Sequence, residues 1–487
     1  MERLQKAGER PTYSSPAGRP GEEATLRRLV VVSNRVALPD EGAARAGGLA
    51  VALQEALQQN GGLWFGWSGR ITPQSSDSPH IRQFGQVTFA TLDLSRKDHA
   101  EYYNGYANRS LWPVFHYRID LADFTRENYQ GYLRVNTLFA EKLRPLLRDE
   151  DEIWVHDYHL IPLGEELRRL GIRQRLGFFL HTPFPAMEVL VVLPSASRIV
   201  RSLAAYDVVG FQTAADLRAF HDHVTLESAG EVLSNGLVRG FGRTLKADVF
   251  PIGIDVGPMV AAAESAHRLA STRRLRRNFS ECKLMIGVDR LDYSKGLPER
   301  FKSFERFLEK YPAWRGKVSL MQIAPSSRAD VPEYMQIRRQ LEAEAGHING
   351  RFAEFDWTPL HYLNSSYQRQ TLAGFYRFSQ IGVVSPLRDG MNLVAKEYVA
   401  AQNGEDPGVL VLSRFAGAAR ELTSALQINP YDLEGVADAL ARALDMPIEE
   451  RRDRWQDLMS AVRTGSLDHW RDSFLKALTE APYTVET

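Results

Sequence analysis

The chain has 487 residues, 44% hydrophobic and 25% charged, with 60 Lys and Arg against 60 Asp and Glu. That length exceeds what one core usually fills and predicts two domains, while a net charge of zero gives no support to nucleic-acid binding or polybasic membrane contact. A single cysteine, Cys282, excludes an intramolecular disulfide and any multi-thiolate metal site, and no apolar run nears the roughly 20 residues that span a bilayer, features that together predict a cytoplasmic protein.

Residues 1–26 mix Arg, Lys, Glu, Pro, Gly and Ser without an apolar segment, the composition of a disordered leader. A buried-strand run opens at Leu29-Val-Val-Val-Ser33, and further strands are predicted at 152–155, 176–180, 208–211, 284–288, 318–323, 381–385 and 409–413. Amphipathic patterns between them predict helices over 163–170, 215–224, 300–310, 334–345, 392–402 and 433–444. Short apolar strands alternating with helices imply parallel sheets covered on both faces, so the fold class is α/β. The alternation pauses near Pro251, dividing the chain into domains at 27–250 and 251–464. Two doubly wound, Rossmann-like domains would set their strand C-terminal ends about a central cleft, where such sheets bind ligands. Helices over 449–464 and 466–480 have no strand after them, and 465–487 is expected to cross back and brace the first domain.

The residues suited to chemistry fall at predicted strand ends. Arg35, after the first strand, offers a planar fork for phosphate. Gly47 and Gly48 let backbone approach a ligand closely, although a glycine pair before a helix is also an ordinary turn. The segment 102–112 is dense in aromatic and amide groups that either line a sugar pocket or pack a core. Asp157 and His181 follow two strands expected to be neighbours, one able to accept a hydroxyl hydrogen bond and the other to donate one. A metal site at His156, Asp157 and His159 is the competing reading, but strand neighbours point to opposite faces. Arg290 and Lys295 share one strand-to-helix loop, an arrangement that suits a diphosphate unless they are solvated partners of Asp289 or Asp292. Finally, a loop runs from Pro386 into a helix: N–H groups around Gly390, Met391, Asn392 and Leu393 can point at anionic oxygens, while Asp389 and Glu397 can accept from sugar hydroxyls. Dinucleotide, Walker and Gly-x-Ser-x-Gly motifs are missing.

Taken together, Leu29-Val-Val-Val-Ser-Asn-Arg35, Trp64-Phe-Gly-Trp-Ser68, His156-Asp-Tyr-His159, Arg290-Leu-Asp-Tyr-Ser-Lys-Gly296 and Pro386-Leu-Arg-Asp-Gly-Met-Asn-Leu393 resemble the trehalose-6-phosphate synthases, retaining glycosyltransferases of family 20 with the GT-B fold. The resemblance implies transfer of glucose from UDP-glucose to glucose 6-phosphate, giving α,α-1,1-linked trehalose 6-phosphate and UDP. It casts Arg35, Tyr103, Trp112 and Arg328, with Asp157 beside them, as acceptor contacts, and Trp67 as a weaker one. Gly47, Gly48, His181, Asp389, Gly390, Met391, Asn392, Leu393 and Glu397 are cast as donor contacts, and Arg290 with Lys295 as the diphosphate clamp. Asp157, His181, Arg290 and Lys295 would then be the catalytic set.

Such a clamp can replace a divalent metal, so no cofactor is expected, UDP-glucose being a co-substrate. Retention by same-face attack needs no protein nucleophile; a covalent glycosyl-Asp157 is the rival. Thr182 stands where a bulkier aliphatic is common and is expected to alter the sugar pocket slightly. No phosphatase module follows the core, which implies a separate trehalose-6-phosphate phosphatase, and self-association is compatible with the family. The alternatives are a related synthase using glycerol 3-phosphate or a cyclitol phosphate, and a non-catalytic sugar-phosphate sensor.

Overall fold

The computed structural model describes residues 28–39, 53, 57, 61–326 and 332–482. The predicted leader and the sites Gly47, Gly48 and Arg328 lie outside the described residues. Within them the chain forms two sheets. The first contains β1 (Leu29–Arg35), β2 (Gly62–Thr72), β3 (His80–Phe84), β4 (Val87–Ser95), β5 (Glu152–His156), β6 (Arg175–Phe179), β7 (Val208–Phe211), β8 (Glu231–Val232), β9 (Leu237–Gly240) and β10 (Arg243–Val249), in the order 3-4-2-1-5-6-7-10-9-8. The second contains β11 (Lys283–Val288), β12 (Val318–Ile323), β13 (Leu360–Leu363), β14 (Ile381–Val384), β15 (Val409–Ser413) and β16 (Leu426–Ile428), in the order 13-12-11-14-15-16.

All pairings in the second sheet are parallel. The first is parallel from β4 to β10 and carries antiparallel additions at its edges, β3 on β4 and β9 and β8 beyond β10. Strands buried on both faces read as continuous apolar runs, which is why β1, β7 and β15 were visible in the sequence. The two sheets are two Rossmann-like domains.

Strand order reverses between β1 and β5 in one sheet and between β11 and β14 in the other. Beyond the carboxyl ends at those switch points lie Arg35 and Asp157, and the 289–295 and 385–392 loops, respectively. Ligands of open α/β sheets bind at such points. Residues His99–Leu111, carrying Tyr103, wind as a π-helix that buries Tyr102, Tyr106 and Leu111.

The last helix, Leu467–Glu480, packs on the first sheet. Ser466 caps it by accepting the His469 N–H at 3.3 Å, and Leu467, Trp470, Phe474, Ala477 and Leu478 form its buried stripe. Phe474 stacks on Trp154 of β5 with centroids 4.6 Å apart, and Arg175 donates to the terminal carbonyls of Leu478 and Ala481. Chain therefore passes between the sheets twice. The two passages touch, since a Cβ at Gly253 would overlap the backbone of Gly465 and Ser466.

Candidate active site

Between the two domains a cavity of about 330 Å³ is lined by His181 of the first and by Arg290, Lys295, Asp389, Met391, Asn392, Leu393 and Glu397 of the second, all singled out in the sequence. Lys295 Nζ lies 2.5 Å from Asp389 Oδ2, which also accepts from Asn392 Nδ2 at 3.0 Å. Burial pushes the Asp389 carboxyl upward, but Lys295 beside it holds it below its ordinary value, so it is a carboxylate. An ammonium has three N–H donors, and this pair uses one of them, leaving Lys295 able to meet an anionic oxygen.

Neither anticipated ion pair forms at Lys295. Asp289 is bound instead by Arg300 at 2.6 Å, and Arg300 also reaches Ser385 and Gln322, a buried cluster that ties the loops after β11 and β14 to the end of β12. Asp292 accepts from the Ser294 amide, from Tyr334 at 3.0 Å and from Trp112 Nε1 at 3.4 Å. Both carboxylates serve to fix the loop that presents Arg290 and Lys295.

Asn392 sits in the left-handed region, φ 80°, with its Oδ1 accepting from Ala395 N, so the helix Leu393–Ala401 begins at the cavity. Gly390 does not line the cavity; it lets the loop lie against the His181 carbonyl, which a Cβ would overlap. Glu397, one turn into the helix, has its carboxyl raised by burial to about 7, with Arg369 pulling the other way.

On the first domain Arg35 ends β1, its guanidinium lying across Gly69, whose φ of 87° and missing side chain make room for it. Asp157 follows β5 with φ 75°, strained for a residue with a Cβ, and is held by its own N–H to Phe179 O at 2.8 Å. Its Oδ1 accepts the His181 N–H at 3.2 Å, so these two residues do meet at adjacent strand ends. Burial depresses the His181 imidazole to about 3; it is a neutral hydrogen-bonding group. Tyr103 is stacked between His159 and His99 at 5.8 and 5.4 Å and contacts Trp67 at 5.5 Å.

Trp112 brings the two halves together. Its ring lies 5.6 Å from the Arg290 guanidinium, its Nε1 reaches Asp292, and it also packs on the His116 ring at 4.0 Å. A second bridge, Arg388 over the Tyr117 ring at 3.6 Å, was not foreseen. A larger hollow of about 400 Å³, between Thr272, Arg276 and Arg377, contains none of these residues. Among the described residues no group of three or more His, Cys, Asp or Glu is placed to hold a metal ion, and no helix is long and apolar enough to cross a membrane.

The sequence profile of Glycosyltransferase family 20 matches residues 28–480. The chain belongs to that family. This family-20 chain is 50% identical to the trehalose-6-phosphate synthase of Cronobacter sakazakii over 93% of its length and 96% of the relative's. It is similar to the crystal structure of a UDP-forming α,α-trehalose-phosphate synthase from Burkholderia xenovorans in complex with glucose 6-phosphate, with TM-score 0.90, 51% identity and coverage of 93% and 100%. It also resembles the Escherichia coli protein bound with UDP-2-fluoro-glucose, with TM-score 0.89, 48% identity and coverage of 93% and 99%.

Sequence reasoning missed four cavity neighbours, Gln212, Ile252, Val288 and Val394, in this family-20 fold. Ile252 sits in the interdomain passage, where its N–H is bound by Gln212 at 3.0 Å. A lone Gln after a strand and an Ile after a proline carry no chemical signature. Arg300 was equally silent, because a buried arginine at a helix start looks in sequence like a solvated one.

Proposed function

We propose that this protein transfers glucose from UDP-glucose to glucose 6-phosphate with retention at the anomeric carbon, forming α,α-trehalose 6-phosphate and UDP. The observation that carries the reading is Trp112: one acceptor-side ring contacts both Arg290 and Asp292 of the donor-side loop, so the two half-sites share a wall. The first domain, 27–250, would hold the acceptor through Arg35, Tyr103, Trp112, Asp157 and Arg328. The second, 251–464, would hold the donor, with 465–487 returning to the first.

Chemistry follows from where charge develops. As the glycosyl C1–O bond breaks, the diphosphate gains negative charge, and groups that bind it more strongly then than before lower the barrier. That Arg290 and Lys295 line the cavity at which the Leu393–Ala401 helix begins supports this role for them and for the N–H groups of the helix start. The acceptor hydroxyl attacks from the face the diphosphate is leaving. A new C1–O bond forms, and the hydroxyl proton passes to the departing phosphate oxygen. Asp157 Oδ1 is committed to the His181 amide, which favours a positioning role over that of nucleophile. The fixed cations make a divalent metal unnecessary. The reaction belongs in the cytoplasm, and its phosphorylated product requires a separate phosphatase.

The test is UDP release from UDP-glucose with glucose 6-phosphate, glucose, fructose 6-phosphate or glycerol 3-phosphate, in EDTA and in magnesium. We expect turnover with glucose 6-phosphate alone, a symmetric product by NMR, and no loss in EDTA. Faster turnover with glycerol 3-phosphate would overturn the acceptor assignment. Binding of both substrates without turnover would make the protein a sensor, and rescue by magnesium after EDTA would refute the metal-free clamp.

A further inference from the structure

His156, the last residue of β5, is wholly buried, and its ring stacks beside that of His181 with centroids 5.4 Å apart. Its Nδ1 lies 3.1 Å from His181 Nε2. Two neutral imidazoles that meet in this way share one proton, and the structure must decide which ring carries it. We propose that His156 is a positioning residue for glycosyl transfer: its Nδ1–H donates to His181 Nε2, which fixes the His181 proton on Nδ1, where it is offered to the donor sugar. This rests on the reading above that His181 faces the glucose of UDP-glucose.

The far nitrogen of His156 decides the direction. His156 Nε2 is buried and has no hydrogen-bond partner. If it held the proton, it would be an orphaned N–H; if bare, it is an unfilled lone pair. Buried orphan N–H groups are the rarer of the two in folded proteins. The aromatic neighbours agree: Trp154, two residues earlier on the same strand face, and Trp470 of the returning helix lie 4.6 and 6.3 Å away, and the indole N–H of each is itself buried without a partner. A lone pair beside those donors is electrostatically better placed than a third N–H.

The proton on His156 therefore belongs to Nδ1, and His181 must accept at Nε2. The rest of His181 is already fixed. Its amide donates to Asp157, its carbonyl lies against Gly390, and its ring is backed by Trp470 at 6.1 Å. That leaves Nδ1–H as the ring donor for the cavity His181 lines. Burial keeps both rings uncharged, His156 well below its ordinary range and His181 at about 3, so the arrangement persists through physiological pH.

The full-length protein, labelled with 15N in histidine, would be examined by NMR without substrates, alongside the His156→Phe and His156→Asn variants. Phe keeps the ring volume and removes the donor, whereas the Asn side-chain N–H can stand where Nδ1–H stood. Wild-type His181 is expected to be protonated at Nδ1, a preference lost in the Phe variant and kept in the Asn variant. The kcat should fall roughly ten- to a hundred-fold in the Phe variant and recover most of the way in Asn, with KM for glucose 6-phosphate little changed. Protonation of wild-type His181 at Nε2 would overturn the proposal, as would equal kcat in all three proteins. If the tautomer switched while kcat stayed constant, the positioning role would be refuted and the fault would lie in placing the sugar at His181, not in the hydrogen bond.

Discussion

At Glu397 burial works against ligand chemistry, with Arg369 only partly offsetting it. The Glu397 carboxyl rises from an ordinary 4.5 to about 7 in the fold, so between those values the folded chain keeps a proton that the unfolded chain has released. The stability contributed by this group therefore falls as pH rises through that window and is lowest above about 7. Glu397→Gln is expected to melt a few degrees higher than wild type at pH 8, with the gap narrowing towards pH 5. Ligand binding should run the other way, because the carboxylate accepts sugar hydroxyls more strongly than the acid does. The affinity for UDP-glucose, measured by calorimetry, should rise roughly five-fold from pH 6 to 8 in wild type and stay flat in the variant. An identical pH slope in both would refute the role. Glu397 was legible in sequence because it lies one helical turn from a phosphate-suited loop. What set its proton affinity was not, since burial is a property of the folded surroundings.

The loop and helix from Asp389 to Ala401 work as one element because backbone meets backbone around them. The Gly390 carbonyl lies where a Cβ on Gly417 would be, and Ala418 N donates to Met391 O at 2.8 Å. Gly417→Ala is therefore expected to push the donor loop out of register although its own backbone tolerates alanine. It should cost about ten-fold or more in kcat/KM for UDP-glucose and leave KM for glucose 6-phosphate alone. Gly350→Ala is the control: it lies within the helix Pro332–Phe352, where a Cβ would meet nothing within 4 Å, so only a stability gain of about 1 kcal/mol is expected. Unchanged kinetics in Gly417→Ala would dismiss the backbone contact as a constraint. Elements of this kind show how far sequence reaches. Strands at 208–211, 318–323 and 409–413 were read to the residue, since strands buried on both faces have no other composition. The helix Arg126–Leu143 went unread although its buried Tyr132, Val135, Phe139 and Leu143 keep helical spacing. Contacts such as Lys295 with Asp389, 94 residues apart, had no sequence signal at all.

Across the whole molecule the two domains are tied by what crosses between them. The helix Ile448–Thr464 buries Leu458, Met459 and Val462, and its Trp455 donates to Val399 O of the second domain at 3.1 Å. After Gly465 the next helix belongs to the first domain, where Trp470 is 1% exposed and touches Trp154 at 4.8 Å and Phe179 at 5.2 Å. Lys396 adds a buried cross-tie, reaching Glu421 at 2.7 Å and the Ile252 carbonyl of the first passage at 2.8 Å. The first domain's core is thus completed by the last helix of the chain. Trp470→Ala should remove about 3–5 kcal/mol from that core and leave the second domain's packing untouched. Domains of unequal stability no longer melt together. Scanning calorimetry is accordingly expected to show one transition in wild type and two in the Trp470 variant, and only the earlier of the two should move further when Phe474→Ala is added. Ligands make the assignment independent of the mutation. UDP, which on the proposed reading binds between Arg290, Lys295 and the Leu393–Ala401 helix, should raise the later transition more than the earlier one, because a ligand stabilises the unit that binds it. A single transition that shifts as a whole in the Trp470 variant would instead mean that the passages, not the returning helix, set the cooperativity of the molecule.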